Sequence, residues 1–147
     1  MRTHPTLTQA MLGGLAGTLV MTAMMYLVAP MMGVHMDIAA MLGSMLGDSW
    51  TAGMMMHVAN GTVVFPLIYA LVLFPALPGG AAMKGMSWGV ILWLVAQAVV
   101  MPMMGAGFFS MATGGMMAAA GSLMGHLMYG ALLGAVAGTA PAAADRH

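Results

Sequence analysis

The stretch GGLAGTLVMTAMMYLVAPMMG, residues 13–33, decides how the chain is to be read. It holds no charged side chain. With the six residues before it, the apolar run covers 7–29 and stops at Pro30, whose missing N–H and fixed φ end a regular helix. About 20 such residues cross the roughly 30 Å of a bilayer's hydrocarbon. Gly13 and Gly17 stand one turn apart, the spacing that lets membrane helices approach closely. The stretch reads as a membrane span.

Three further runs repeat the pattern. Residues 51–74 end at Pro75 and carry Pro66 inside, where the lost amide predicts a bend. Residues 85–101 stop at Pro102, and residues 121–140 stop before Pro141. The composition agrees: of 147 residues 62% are hydrophobic and 4% charged, whereas a soluble domain carries about a quarter charged. Arg2 before an apolar run has the outline of a signal peptide, but the run is long and lacks a small-x-small cleavage site, so a retained span is expected. The expected fold is an all-α integral membrane protein, a four-transmembrane-helix bundle with residues 1–147 as one domain.

Charge sets the orientation and removes partners. Arg2, Lys84 and Arg146 fall on one face of a four-span chain, and Asp37 and Asp48 on the other. Basic loops mark the cytoplasmic side. Both termini are therefore expected inside, in a cell inner (cytoplasmic) membrane, with loops 31–50 and 103–120 outside. In the first loop Asp37 is expected to cap a short surface helix with Ile38, Met41, Leu42, Met45 and Leu46 on one face and Gly47 closing it. Three basic residues make no field for a phosphate backbone, so nucleic acid is not an expected partner. The lack of cysteine removes disulfides, zinc–thiolate sites and iron–sulfur clusters.

Shifting residues 13–33 by 72 places gives 7 identities in 21, including the tail Val-x-Pro-Met-Met-Gly. A shift of 69 pairs Met55 with Met124, His57 with His126 and Gly61 with Gly130. The chain thus reads as two tandem helical-hairpin repeats, about 13–74 and 85–140. Each repeat holds two crossings, so both copies insert in the same sense about an axis along the membrane normal. His57 and His126 become symmetry mates at one depth.

An ionisable side chain inside a span marks a site when a partner can be named, and here each histidine names the other. Both head stripes of small residues: Gly53, His57 and Gly61 in one span, His126, Gly130, Gly134 and Gly138 in the other. Such a stripe seats a neighbouring helix or leaves a flat slot for a porphyrin edge. Asn60 and Gln97 lie at suitable depth to accept the second ring N–H that a ligating imidazole offers. The first expectation is a redox or metal-binding subunit holding a b-type haem between His57 and His126 near the external face, with Gly61, Gly130, Asn60 and Gln97 around it.

Methionine opens an alternative. Of 23 copies, 16 fall on the external side, and thioether with imidazole suits Cu(I); His35 with Met32 and Met36 is the expected copper site in that case. Methionine is equally a flexible filler of irregular apolar contacts. The remaining readings need no cofactor: a non-catalytic scaffold or partner subunit in a homo-oligomer or larger membrane complex, and a small transporter. No catalytic constellation is legible, no carboxylate falls inside a span, and Thr18, Thr22 and Ser122 are expected to bond to helix backbone or a neighbouring helix.

Gly-Thr-x-x-Met-Thr at 17–22, Met-His-x-x-x-Gly at 56–61, Pro-Met-Met-Gly-x-Gly-Phe-Phe at 102–109 and His-x-x-Tyr-Gly at 126–130 resemble a group of small uncharacterised bacterial four-span membrane proteins. The resemblance implies the same architecture, singles out His57 and His126, and brings no activity with it.

Overall fold

The computed structural model describes residues 4–138. Four long helices carry the fold: α1 (Leu7–Met32), α3 (Trp50–Ala76), α4 (Ala81–Met103) and α5 (Gly115–Ala137), each long and apolar enough to cross a membrane. A short α2 (Ile38–Ser44) lies between the first two. No strand occurs among the described residues. Arg2, Pro141 and Arg146, used above for orientation and for the end of the last span, lie outside the described residues. The spans start and stop differently from expectation. The helical path of α1 runs three residues past Ala29 because Pro30 opens a final 3₁₀ turn, Ala29–Met32, closed by Gly33 at φ +75°. Helix α5 begins six residues before residue 121, shortening the second loop at that end.

Proline shapes the helices in a consistent way. Turns widened to i→i+5 bonding occur at Met24–Val28, Asn60–Val64, Tyr69–Leu73 and Ala96–Val100. Each is centred four residues before a proline: Pro30, Pro66, Pro75 and Pro102. A proline ring clashes with the carbonyl four residues back, and an extra residue in that turn moves the carbonyl aside. The bend expected at Pro66 takes this form. Helix α5 contains no proline and stays regular throughout.

The two exits around Pro30 and Pro102 match in detail. Gly33 N–H donates to Pro30 O at 3.0 Å and Val34 N–H to Ala29 O at 3.0 Å; Gly105 N–H donates to Pro102 O at 3.1 Å and Ala106 N–H to Met101 O at 2.9 Å. Gly105 has φ +77°, and both glycines adopt the left-handed conformation that costs them no Cβ clash.

Helix α5 packs between α1 and α4, and α3 packs on α1. Glycine makes these approaches close. A Cβ on Gly13 or Gly17 would meet the backbone of Leu133 or Tyr129, and one on Gly85 or Gly89 would run into the backbone carbonyls of Gly130 or His126. The buried core, with Ala10, Tyr69, Trp88, Tyr129 and Leu133, lies in the half toward Lys84. Lys84 itself closes α3, donating from Nζ to Phe74 O at 2.6 Å and standing 4.4 Å over the Phe74 ring.

Asp37 caps α2 as expected, accepting from Ala40 N–H at 2.9 Å. The helix is shorter than expected. It ends at Ser44, so of the apolar face only Ile38, Met41 and Leu42 ride on it, while Met45 and Leu46 are exposed in the following turn.

Candidate functional site

In the half of the bundle away from Lys84 the helices border a partly open chamber of about 550 Å³, lined by α1, α3, α4 and α5 and by Ile38 and Leu42 of α2. Ligand sites span roughly 300–1,000 Å³. His57 of α3 and His126 of α5 both line it, so the two histidines paired in the sequence meet one cavity. The wall carries no Asp, Glu, Lys or Arg, and nine methionines line it, Met24, Met56 and Met124 among them.

Each imidazole is held by a partner the sequence reading did not assign to it. His126 Nδ1 lies 2.8 Å from Ser122 O, and because a carbonyl only accepts, that nitrogen carries the proton and leaves Nε2 with a lone pair. His57 Nε2 lies 2.9 Å from Thr22 Oγ1, which gives its own proton to Thr18 O at 2.7 Å. The Thr22 oxygen therefore accepts from His57 Nε2–H, and the lone pair of His57 rests on Nδ1. Both rings are satisfied in the neutral form, with opposite tautomers. The His126–Ser122 pair was legible as an i, i+4 relation within one helix; Thr22 meets His57 only through packing of α1 on α3.

The remaining candidates separate. Asn60 lines the chamber. Gln97 does not: it is fully buried, and its Oε1 accepts from Ser110 Oγ at 2.9 Å, so it orders the loop after α4 and no histidine. Gly61 borders the chamber floor, but a Cβ there would collide with Thr18, and one on Gly130 would collide with Gly85. The two glycine stripes are thus filled by neighbouring helices, and the porphyrin slot expected along them does not exist; the open space lies above, at the histidines. Thr18 and Thr22 bond to helix carbonyls as expected, Thr18 Oγ1 donating to Gly14 O at 2.7 Å. The expected copper trio is divided. His35 borders a small outer recess with Tyr26 and Asp37, Met32 lines the main chamber, and Met36 borders both. Among the described residues no three His, Asp or Glu side chains gather into a metal-binding group.

Fold and cavity together define a small all-helical protein with four membrane-type spans and an uncharged chamber between them. The chain belongs to the family of unknown function DUF6789, whose family model matches residues 5–147. No curated protein and no solved structure matches it.

Proposed function

We propose that the chain is a membrane-embedded cofactor subunit whose chamber takes one b-type haem between His57 and His126 and relays electrons for a larger membrane complex. One observation carries this reading: two imidazoles from different helices line the same apolar cavity of suitable size. His126 already has the arrangement of a ligating imidazole, with Nδ1–H anchored on a carbonyl and Nε2 free. His57 would ligate through Nε2 once that nitrogen leaves Thr22 and the ring proton moves from Nε2 to Nδ1. Bound haem supplies a one-electron iron centre; the protein supplies two neutral ligands and a dry wall. Protein purified from haem-replete cells should show a Soret band, lost in His57→Ala and in His126→Ala. Colourless, iron-free protein ends the proposal.

The nine methionines favour a second reading, Cu(I) held in this same chamber by His126 and thioethers, in place of the outer site around His35. Elemental analysis separates the two, since it finds iron with haem in one case and copper without a Soret band in the other.

The matched exits at Pro30 and Pro102 support descent of the two hairpins from one repeat, and the placement of Lys84 opposite Asp37 supports a chamber facing outward from a cytoplasmic membrane. Attaching a reporter enzyme to residue 147 tests the orientation: cytoplasmic activity is expected, and activity on the other side reverses it.

A further inference from the structure

Ile38 and Leu42 of α2 border the chamber, and the way α2 is held singles out one polar contact. Helix α2 and the start of α3 form a single unit. A Cβ on Gly53 would strike the Ala39 carbonyl and one on Gly43 would meet Ser49 O, so the two backbones touch. Trp50 Nε1 then donates to Asp37 at 3.0 Å, tying the residue before α2 to the first residue of α3. Across a seam from this unit stands the end of α1, which supplies Met24, Met25 and Val28 to the chamber wall. The Tyr26 hydroxyl crosses that seam and donates to Asp37 Oδ1 at 2.5 Å. One turn deeper Thr22 crosses it again to His57.

Freedom to move is present on both sides. Gly33, at φ +75°, precedes the connection into α2, and the widened turn Asn60–Val64 follows the start of α3. The widened turn Met24–Val28 lies under Tyr26 itself.

We infer that α2 with the start of α3 is a lid over the chamber, and that the Tyr26–Asp37 hydrogen bond is the clasp that holds it shut against α1. When the clasp opens, the path to His57 and His126 leads from the aqueous surface past Ile38 and Leu42. The inference concerns access alone and holds whatever occupies the chamber.

The chain has no cysteine, which makes the test direct. Ser122→Cys places one thiol in the chamber wall, and Ser87→Cys places one on α4 away from it. In the full chain in liposomes, the modification rate by a water-soluble methanethiosulfonate is measured for each, with and without Tyr26→Phe. Loss of a hydrogen bond to a charged group should raise the Ser122→Cys rate roughly 10- to 100-fold and leave Ser87→Cys unchanged. Asp37→Asn should act in the same direction. Because Asp37 also caps α2, Tyr26→Phe decides the matter: it removes one hydroxyl and leaves the cap intact. An unchanged Ser122→Cys rate, or an equal rise at Ser87→Cys, overturns the clasp. The haem proposal is read by absorbance and this one by thiol accessibility, so either can fail alone.

Discussion

The hydroxyl of Tyr129 on α5 donates to the carbonyl of Gly61 on α3 at 2.7 Å. That carbonyl stands five residues before Pro66, inside a widened turn where bonding runs i→i+5 and proline has no N–H to give. A tyrosine from the neighbouring helix thus supplies the donor that the proline lacks. The bond lies beneath the chamber, one turn from His126, and joins the two helices that carry the histidines.

Removing it should cost stability in a way that depends on the proline. Tyr129→Phe leaves a buried carbonyl unpaired, which costs about 1–3 kcal/mol. In a Pro66→Ala background the restored amide takes over, and the same change should cost less. Unfolding in detergent, arranged as a double-mutant cycle, measures the coupling; equal costs in both backgrounds would exclude the compensation.

The glycine contacts predict a contrast along one helix. Gly130→Ala drives a methyl into the Gly85 carbonyl and should destabilise α4–α5 packing, whereas a Cβ at Gly121 meets nothing within 4 Å. Gly121→Ala should therefore be neutral or stabilise by up to about 1 kcal/mol through lower backbone entropy in the unfolded chain. Thermal unfolding of the two variants checks the sign of each.

Thr22 separates the two histidines chemically. Under the haem proposal, Thr22→Val frees His57 Nε2 and should leave haem retention equal or tighter in a haem titration, while His57→Ala loses it. Loss of haem in Thr22→Val would mean instead that Thr22 positions the ring for its ligand.

The clasp has a defined pH window. Burial pushes the Asp37 carboxyl upward, but hydrogen bonds from Tyr26, Ala40 N–H and Trp50 outweigh it and hold the group below its ordinary value. A carboxylate lowered in the folded state contributes stability that is complete above the unfolded value of about 3.9 and fades as pH falls through the folded one. The other titratable side chain at this recess is His35. The Ser122→Cys modification rate, corrected for thiolate fraction, should stay flat down to about pH 4.5 and rise only in stronger acid. A rise near pH 6 would exclude Asp37 as the controlling group.

How much of this was legible in the sequence follows from how local each feature is. The four spans, the cap at Asp37 and the prolines that interrupt the helices depend on neighbouring residues and were readable. The convergence of His57 and His126 was readable only through the offset that aligns their flanking residues. What could not be read was which helix lies against which face. Gln97 has the depth for a histidine partner but faces Ser110, and Gly130 has the spacing of a slot but is covered by Gly85. The ring partner Thr22 carries no special signal because hydroxyl residues in spans usually satisfy helix carbonyls.

The unbroken course of α5 has a consequence for any rearrangement around the chamber. His126 rides on a straight mast without a soft joint, whereas His57 sits immediately before the wide turn Asn60–Val64 of a helix with two such joints. Any change in the gap between the imidazoles would therefore come from one side, with His126 as the fixed jaw and His57 as the adjustable one.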